Sequence, residues 1–388
     1  MKFTDGYWLL REGVTAAHPV EVLDVTAAGD TPCGGGTLEI HAPTRPVRHR
    51  GDLLTGPVVT ISVHAPLPDV IGITFTHFEG GQPRTPRFEV RRQKCAAQVS
   101  YDDEHALLTS GTLSARVART GPWRVDFLAG GRTLTGSGAK GMGIMRDATG
   151  AHYLREQLDL RVGTGVYGLG ERFGPLVKNG QVVDIWNADG GTATEQAYKN
   201  APFYLTDAGY GVFVDHPGKV SFEVGSESVS RVQFSVESQQ LTYYVIHGPD
   251  LLVAPVFSDE GDVTYYVPEG TWTRFADGRT VTGPRWVRER HGFLSVPLLV
   301  RPGAVIPVGA VDDRPDYDHA DGVTLRAFRP ARGAPVTVRV GDMTFTVVRE
   351  GDTLRASAGD PSRPWALAAG ERTARAGAGT GFLTVELG

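Results

Sequence analysis

The stretch VSFEVGSESVSRVQFSVESQQLTYYVIHGPDLLVAPVF, residues 220–257, sets the architecture. Its first three runs alternate at period two: Val220, Phe222 and Val224, then Val232, Phe234 and Val236, then Leu241, Tyr243 and Val245. Apolar side chains at every second position mark a strand with one face against a core. After His247 only Gly248, Pro249 and Asp250 intervene before the apolar run LLVAPVF, so strand passes almost directly to strand.

Toward the N-terminus, residues 38–148 hold further short apolar runs broken by turn residues, among them VVTISVHA, VIGITFTHF, ARVAR and WRVDFLAGGRTLTG. These are expected to be strands of an antiparallel sheet. Asp207, Ala208 and Gly209, between PFYLT and YGVFVDHP, suit a hairpin loop with Gly209 at positive φ. Residues 1–247 therefore read as one large β-sandwich, and residues 248–250 as a junction. In the other direction, LLVAPVF and VTYYVP are apolar strands, Glu269-Gly270 reads as a turn, and Asp277-Gly278 gives a hairpin signal. A proximal C-terminal β domain is expected over residues 251–310. The acidic connector DDRPDYDHADG leads into VTLRAF, VTVRVG, TFTVVREG and FLTVEL, a distal β domain over residues 311–388. Nowhere do eight strands alternate with helical patterns of about 10–15 residues, so the class is all-β and excludes a (β/α)8 barrel.

Composition supports this and narrows the partners. The chain has 388 residues, 40% of them hydrophobic, enough for well-filled cores in several domains. Its 50 glycines and 25 prolines follow no triplet period and suit many tight turns. A net charge of −5 and scattered basic residues make nucleic acid a poor partner. Two cysteines, Cys33 and Cys95, are no disulfide framework. MKFTDGYWLL lacks an apolar signal core, no run of about 18 apolar residues occurs, and no Asn-x-Ser/Thr acceptor is present. The expectation is a cytoplasmic protein with no membrane partner.

Several motifs carry little chemistry. GSGAKG, residues 136–141, fits G-x-G-x-x-G, but MGIMRDATG comes after it instead of a helix, so it reads as a glycine-rich link between strands. Asp312, Asp313, Asp316, Asp318 and Asp321 lack the spacing of a Ca2+ loop, and the eleven histidines show no zinc-ligand spacing. No G-x-S-x-G turn exposes a serine nucleophile. No metal or cofactor is expected. The loop KNGQVVDIWNADGGTATEQAYKN is more specific: Lys178, Asn179, Asp184, Asn187, Asp189, Glu195, Lys199 and Asn200 surround Trp186 and Tyr198. That mixture can hydrogen-bond sugar hydroxyls and cover a pyranose face. On residue types alone, the two aromatics serve equally well to pin the loop to the sandwich.

GLGERFG, WNADGGTATEQAYKN, PFYLT and GYGVFVDHP together resemble the N-terminal domain of glycoside hydrolase family 31, in its bacterial α-xylosidase branch. LLVAPVF, YYVPEGTW and HGFLSVPLLVRPGAVIPVG resemble the β domain that comes after the barrel in that family. The resemblance implies a galactose-mutarotase-like sandwich, then a (β/α)8 barrel carrying an Asp nucleophile and an Asp acid/base, then the C-terminal domains. Here the barrel, which needs roughly 250 residues, has no counterpart. By the resemblance, Asp189 matches the loop residue that reaches toward the bound sugar and Glu171 belongs to a structural motif at a strand end; Trp186 is the second sugar-binding candidate, on its residue type alone. No catalytic residue is therefore assigned, although a retaining enzyme needs two carboxyls about 5–5.5 Å apart.

The resemblance thus implies a barrel-less relative of α-xylosidases and α-glucosidases, silent by itself, with weak carbohydrate binding and self-association through surfaces the barrel would cover. A second reading is a carbohydrate-binding or assembly module, pairing with a barrel supplied by another chain. A third, sugar epimerisation, needs a histidine and a carboxylate converging in a groove, with His64, His77 and His216 as candidates.

Overall fold

The computed structural model describes every residue except 7, 29–35, 79, 81–87, 89–96, 189–190, 192–193, 249 and 388. Cys33 and Cys95 thus lie outside the described residues. The chain divides into two compact units, Met1–Gly248 and Pro249–Gly388.

The first unit is built on a sandwich of two large sheets, and Thr4–Asp5 pairs with Leu9–Leu10 as a separate two-stranded ribbon. One large sheet has eleven strands and runs from Gln181–Ile185 through Val220–Val224, Arg231–Val236 and His152–Asp159 to Gln98–Tyr101. The other has eight and runs from Val166–Gly168 through Phe203–Thr206, Tyr210–Asp215 and Gln240–His247 to Asp24–Ala28. The period-two residues of the 220–247 stretch face each other across the gap, and all nine are buried. Phe222 stands opposite Phe234 in register, with ring centroids 5.9 Å apart. Phe234 meets Tyr243 of the facing sheet edge-on at 5.1 Å. The expected hairpin is present, with Phe203–Thr206 paired to Tyr210–Asp215 and Gly209 at φ 86°.

Within this apolar layer lies a carboxyl. Glu156 alternates with Leu154 and Leu158 on the inner face and is fully buried. The Ser137 hydroxyl donates to it at 2.7 Å, the Gln157 amide at 2.9 Å and the Tyr243 hydroxyl at 3.1 Å. Burial raises its pKa from 4.5 to about 7, and these hydrogen bonds offset part of the shift.

The outer face corrects the expectation of one buried face per strand. Ser221, Glu223, Gln233 and Ser235 also have almost no exposure. Residues 1–5 cover them: Phe3 is wholly buried, Glu227 Oε1 accepts from the Phe3 amide at 3.1 Å and the Thr4 amide at 2.8 Å, and Gln233 Nε2 donates to the Met1 carbonyl at 2.8 Å. Buried polar groups must find such partners. Gly136–Gly141 closes one strand and turns into Gly143–Arg146, the Gly141 amide donating to the Gly138 carbonyl at 2.9 Å.

The second unit has three four-stranded sheets. The first joins Leu251–Val253, Leu298–Val300, Asp262–Arg274 and Thr280–Arg290 over a core containing Val267, Trp272 and Leu299. Glu269-Gly270 is not a turn. The strand Asp262–Arg274 runs through it as a β-bulge, with Gly270 at φ 121°, because an extra residue on a long twisted strand can be accommodated without reversing the chain. Asp277-Gly278 does form the expected reversal, and of LLVAPVF only Leu251–Val253 is strand. The other two sheets enclose Phe345 and Trp365, centroids 5.2 Å apart. Asp318 accepts from the Ala320 amide and pairs with Arg363. Among the described residues the only helical element is the 3-10 turn Arg50–Leu54, so the chain is all-β and carries no (β/α)8 barrel.

Candidate functional site

The candidate loop leaves the sandwich through Gly168, Leu169 and Gly170, which take φ of 101°, 66° and 88°. Three successive left-handed residues turn the backbone sharply, and L side chains disfavour that region. A Cβ at Gly170 would lie 2.3 Å from the Lys199 carbonyl oxygen, and one at Gly168 would lie 2.8 Å from that of Phe203. Glycine is required by this approach. Leu169 tolerates its conformation with its side chain wholly buried in the sandwich core.

Arg172 then fastens the loop. Its Nε donates to the Leu169 carbonyl at 3.0 Å, Nη1 to Glu195 at 2.9 Å and Nη2 to Asp184 at 2.8 Å, and Nη2 also donates to the Asn200 side-chain oxygen. A planar guanidinium with five donors suits this task. Asn200 Nδ2 in turn donates to the carbonyls of Trp186 at 3.0 Å and Ala197 at 2.7 Å. Arg172 was legible in the sequence only as part of GLGERFG, and no residue-type signal identified its carbonyl partners.

The structure sorts the polar residues expected to meet a sugar. Lys178 is buried, its ammonium donating to the Pro175 carbonyl at 2.6 Å, and burial lowers its pKa. Asn179 bridges the Val166 amide and the Thr164 carbonyl, both at 2.9 Å. Asp184 accepts from Ser221 at 2.7 Å and pairs with Lys219 at 2.5 Å. Lys199 meets Glu171 at 3.1 Å, an exposed pair. These groups hold the loop together. Trp186 and Tyr198 are 59% and 64% exposed, so neither is buried against the sandwich as a pin. Phe173 and Leu176, earlier in the same loop, are exposed as well. Asp189 lies outside the described residues.

The histidines have different surroundings. His64 stands edge-on to Tyr244 at 5.8 Å, His77 Nδ1 meets the Gln239 side-chain oxygen at 2.6 Å, and His216 Nδ1 accepts from the Gly218 amide at 3.1 Å. Of the loop side chains singled out above, Trp186 and Tyr198 are the ones exposed to present aromatic faces to a ligand.

Family comparisons cover most of the chain. Residues 58–223 match the glycosyl hydrolase 31 N-terminal galactose mutarotase-like domain, residues 230–306 the glycosyl hydrolase family 31 C-terminal domain, and residues 318–387 the C-terminal domain of alpha-xylosidase YicI. Alpha-xylosidase XylQ of Lactiplantibacillus pentosus is 44% identical over 250 residues, covering 64% of this chain and 32% of that protein. An alpha-xylosidase of Emericella nidulans is 38% identical over 314 residues, covering 73% and 39%. The chain therefore spans about a third of the length of these curated relatives. Among solved structures, the cycloalternan-forming enzyme from Listeria monocytogenes in complex with a pentasaccharide substrate is 18% identical, with a TM-score of 0.49 over 61% of this chain and 21% of that enzyme.

Proposed function

Because this chain belongs to glycoside hydrolase family 31, we propose that it is a barrel-less form of an α-xylosidase-like protein, without glycosidase turnover by itself. One observation carries this reading. The strand Gln240–His247 that ends the sandwich is succeeded, after residues 248–250, by the strand Leu251–Val253, and the catalytic carboxyls of the family belong to the barrel that would stand between them. We assign Trp186 and Asp189 to sugar contact and no residue to catalysis. The compartment we propose is the cytoplasm, on cysteine content alone.

A loop offering contact from one side buries too little of a sugar to bind it tightly or to hold it in line for reaction. Purified protein incubated with an aryl α-xyloside and an aryl α-glucoside is expected to release aryl alcohol at the buffer rate. Saturable turnover lost in a Glu171→Gln or Asp189→Asn variant would overturn the proposal.

A second reading, association with a barrel supplied by another chain or with another copy, is favoured by exposed apolar side chains. The first unit exposes Phe173, Leu176, Trp186 and Tyr198, and the second exposes Phe257, Phe293 and Leu294. Phe293 and Leu294 are adjacent in sequence and both fully exposed, and large apolar side chains left in water gain by association. Sedimentation of the chain alone, and mixed with an isolated family 31 barrel, tests it: monomers in both experiments would remove this reading.

A further inference from the structure

On the opposite side of the strands Gln181–Ile185, Val220–Val224 and Arg231–Val236 from the apolar core, a cleft of about 460 Å3 opens in the first unit. Its walls include Tyr153, Asp184, Lys219, Ser221, Glu223 and Ser235. The volume falls within the roughly 300–1,000 Å3 of small-molecule sites. The geometry points to a second ligand site here, built for a short neutral saccharide and separate from the Trp186 loop.

One buried oxygen carries the inference. Ser235 is 2% exposed and its hydroxyl oxygen has no hydrogen-bond partner. Glu223, in the same cleft and 1% exposed, is already ion-paired with the Met1 amino group at 3.0 Å. A buried polar atom is costly to leave unmet, and a ligand hydroxyl group is the partner that would satisfy Ser235.

The charges specify the class. Asp184, Glu223 and Glu237 face Lys2, Arg11, Lys219 and the Met1 ammonium, which leaves a net charge of only about one and no strong field to select a polyanion or polycation. Asp184 is engaged there by Lys219 at 2.5 Å and by Ser221 at 2.7 Å, and the exposed Lys219 ammonium keeps further hydrogens to donate to a ligand. Tyr153 adds a ring at the wall. A neutral polyhydroxylated molecule uses donors, acceptors and an aromatic surface together. Asp184 connects the two sites: its carboxylate lines the cleft while its carbonyl holds Arg172 of the loop.

The test is saturation-transfer NMR on the full chain with isomaltose and with xylose as probes. Transfer to at least one of them is expected, and Lys219→Met should weaken binding about fivefold, the equivalent of one hydrogen bond. Ser235→Val, which removes the hydroxyl and fills space, should weaken it at least as much. Lys219 is largely exposed, so its substitution decides the matter if the Ser235 variant fails to fold. Absence of transfer for both probes overturns the inference, as does binding that is unchanged in Lys219→Met. Binding lost in Trp186→Ala but retained in Lys219→Met would instead place the only sugar contact on the loop.

Discussion

The sandwich core and the loop over residues 169–200 are held by different forces, and the contrast shows how each responds to change. Between the sheets, Phe222, Phe234 and Tyr243 pack ring to ring, and stability comes from apolar area removed from water. In the loop, Arg172 and Asn200 hold backbone carbonyls, while Trp186 and Tyr198 are left outside. Apolar burial is shared among many neighbours. The loop depends on a few directional bonds, so one substitution can release it without unfolding the sheets.

The largest expected effect tests the core. Phe234→Ala should cost about 3–5 kcal/mol through lost burial and an unfilled cavity. Urea unfolding of the first unit measures it, and a loss below about 1 kcal/mol would mean the aromatic layer can collapse around the gap.

The next concerns the ionisable group within that layer. The pKa of Glu156 is raised from 4.5 to about 7 in the folded protein, chiefly by burial, so its contribution to stability is complete below pH 4.5 and is lost as pH rises through 7. The magnitude is on the order of 3 kcal/mol. His18, half-buried beside the Met142 carbonyl, acts in the opposite sense. Burial, and then the charge of Arg155, lowers its pKa from 6.5 to about 4, so its contribution is present above pH 6.5 and lost as pH falls through 4. The two slopes oppose each other over the same window. Glu156→Gln should therefore make stability rise with pH more steeply than in the unaltered protein when urea midpoints at about pH 4.5 and about pH 7.5 are compared. Parallel profiles would show that Glu156 does not change its proton affinity on folding.

The smallest expected effect bears on the loop. Arg172→Ala should loosen residues 169–200 by about 1.5–3 kcal/mol, the value of hydrogen bonds from a charged donor. Amide exchange in the loop should accelerate while the global urea midpoint moves far less than in Phe234→Ala. Equal shifts of loop and midpoint would make the loop part of the cooperative core.

The core was legible because each strand writes its inward face into the sequence at period two, as Val220 to Val245 do. The outer face was not, since Ser221, Glu223, Gln233 and Ser235 look like residues destined for water. Their cover comes from residues 1–5, which no local pattern links to them. At Glu269-Gly270 the same dipeptide signal serves a turn or a bulge, and pairing along the whole strand chose the bulge. In the loop, aromatic and polar composition pointed to a surface for sugars, but composition does not say which polar groups are already engaged. Lys178, Asn179, Asp184 and Asn200 turn inward or bond within the protein, whereas Trp186 and Tyr198 face solvent.

The cover over the outer face also sets an order of events in the cell. The Thr4 amide finds its acceptor on Glu227, 223 residues later. At about 5–20 residues per second, roughly 10–45 seconds of synthesis separate the two. For much of that interval residues 1–5 are synthesised but lack Glu227 and Gln233, although Tyr153, against which the Phe3 ring packs at 5.7 Å, is already made. The sheet cannot be finished from its beginning; it is closed by the return of late strands beneath an early segment, a long-range step expected to be slow. Nascent chains stalled before residue 227 should therefore hold residues 1–5 open to chaperones or proteases, and those stalled well beyond it should not.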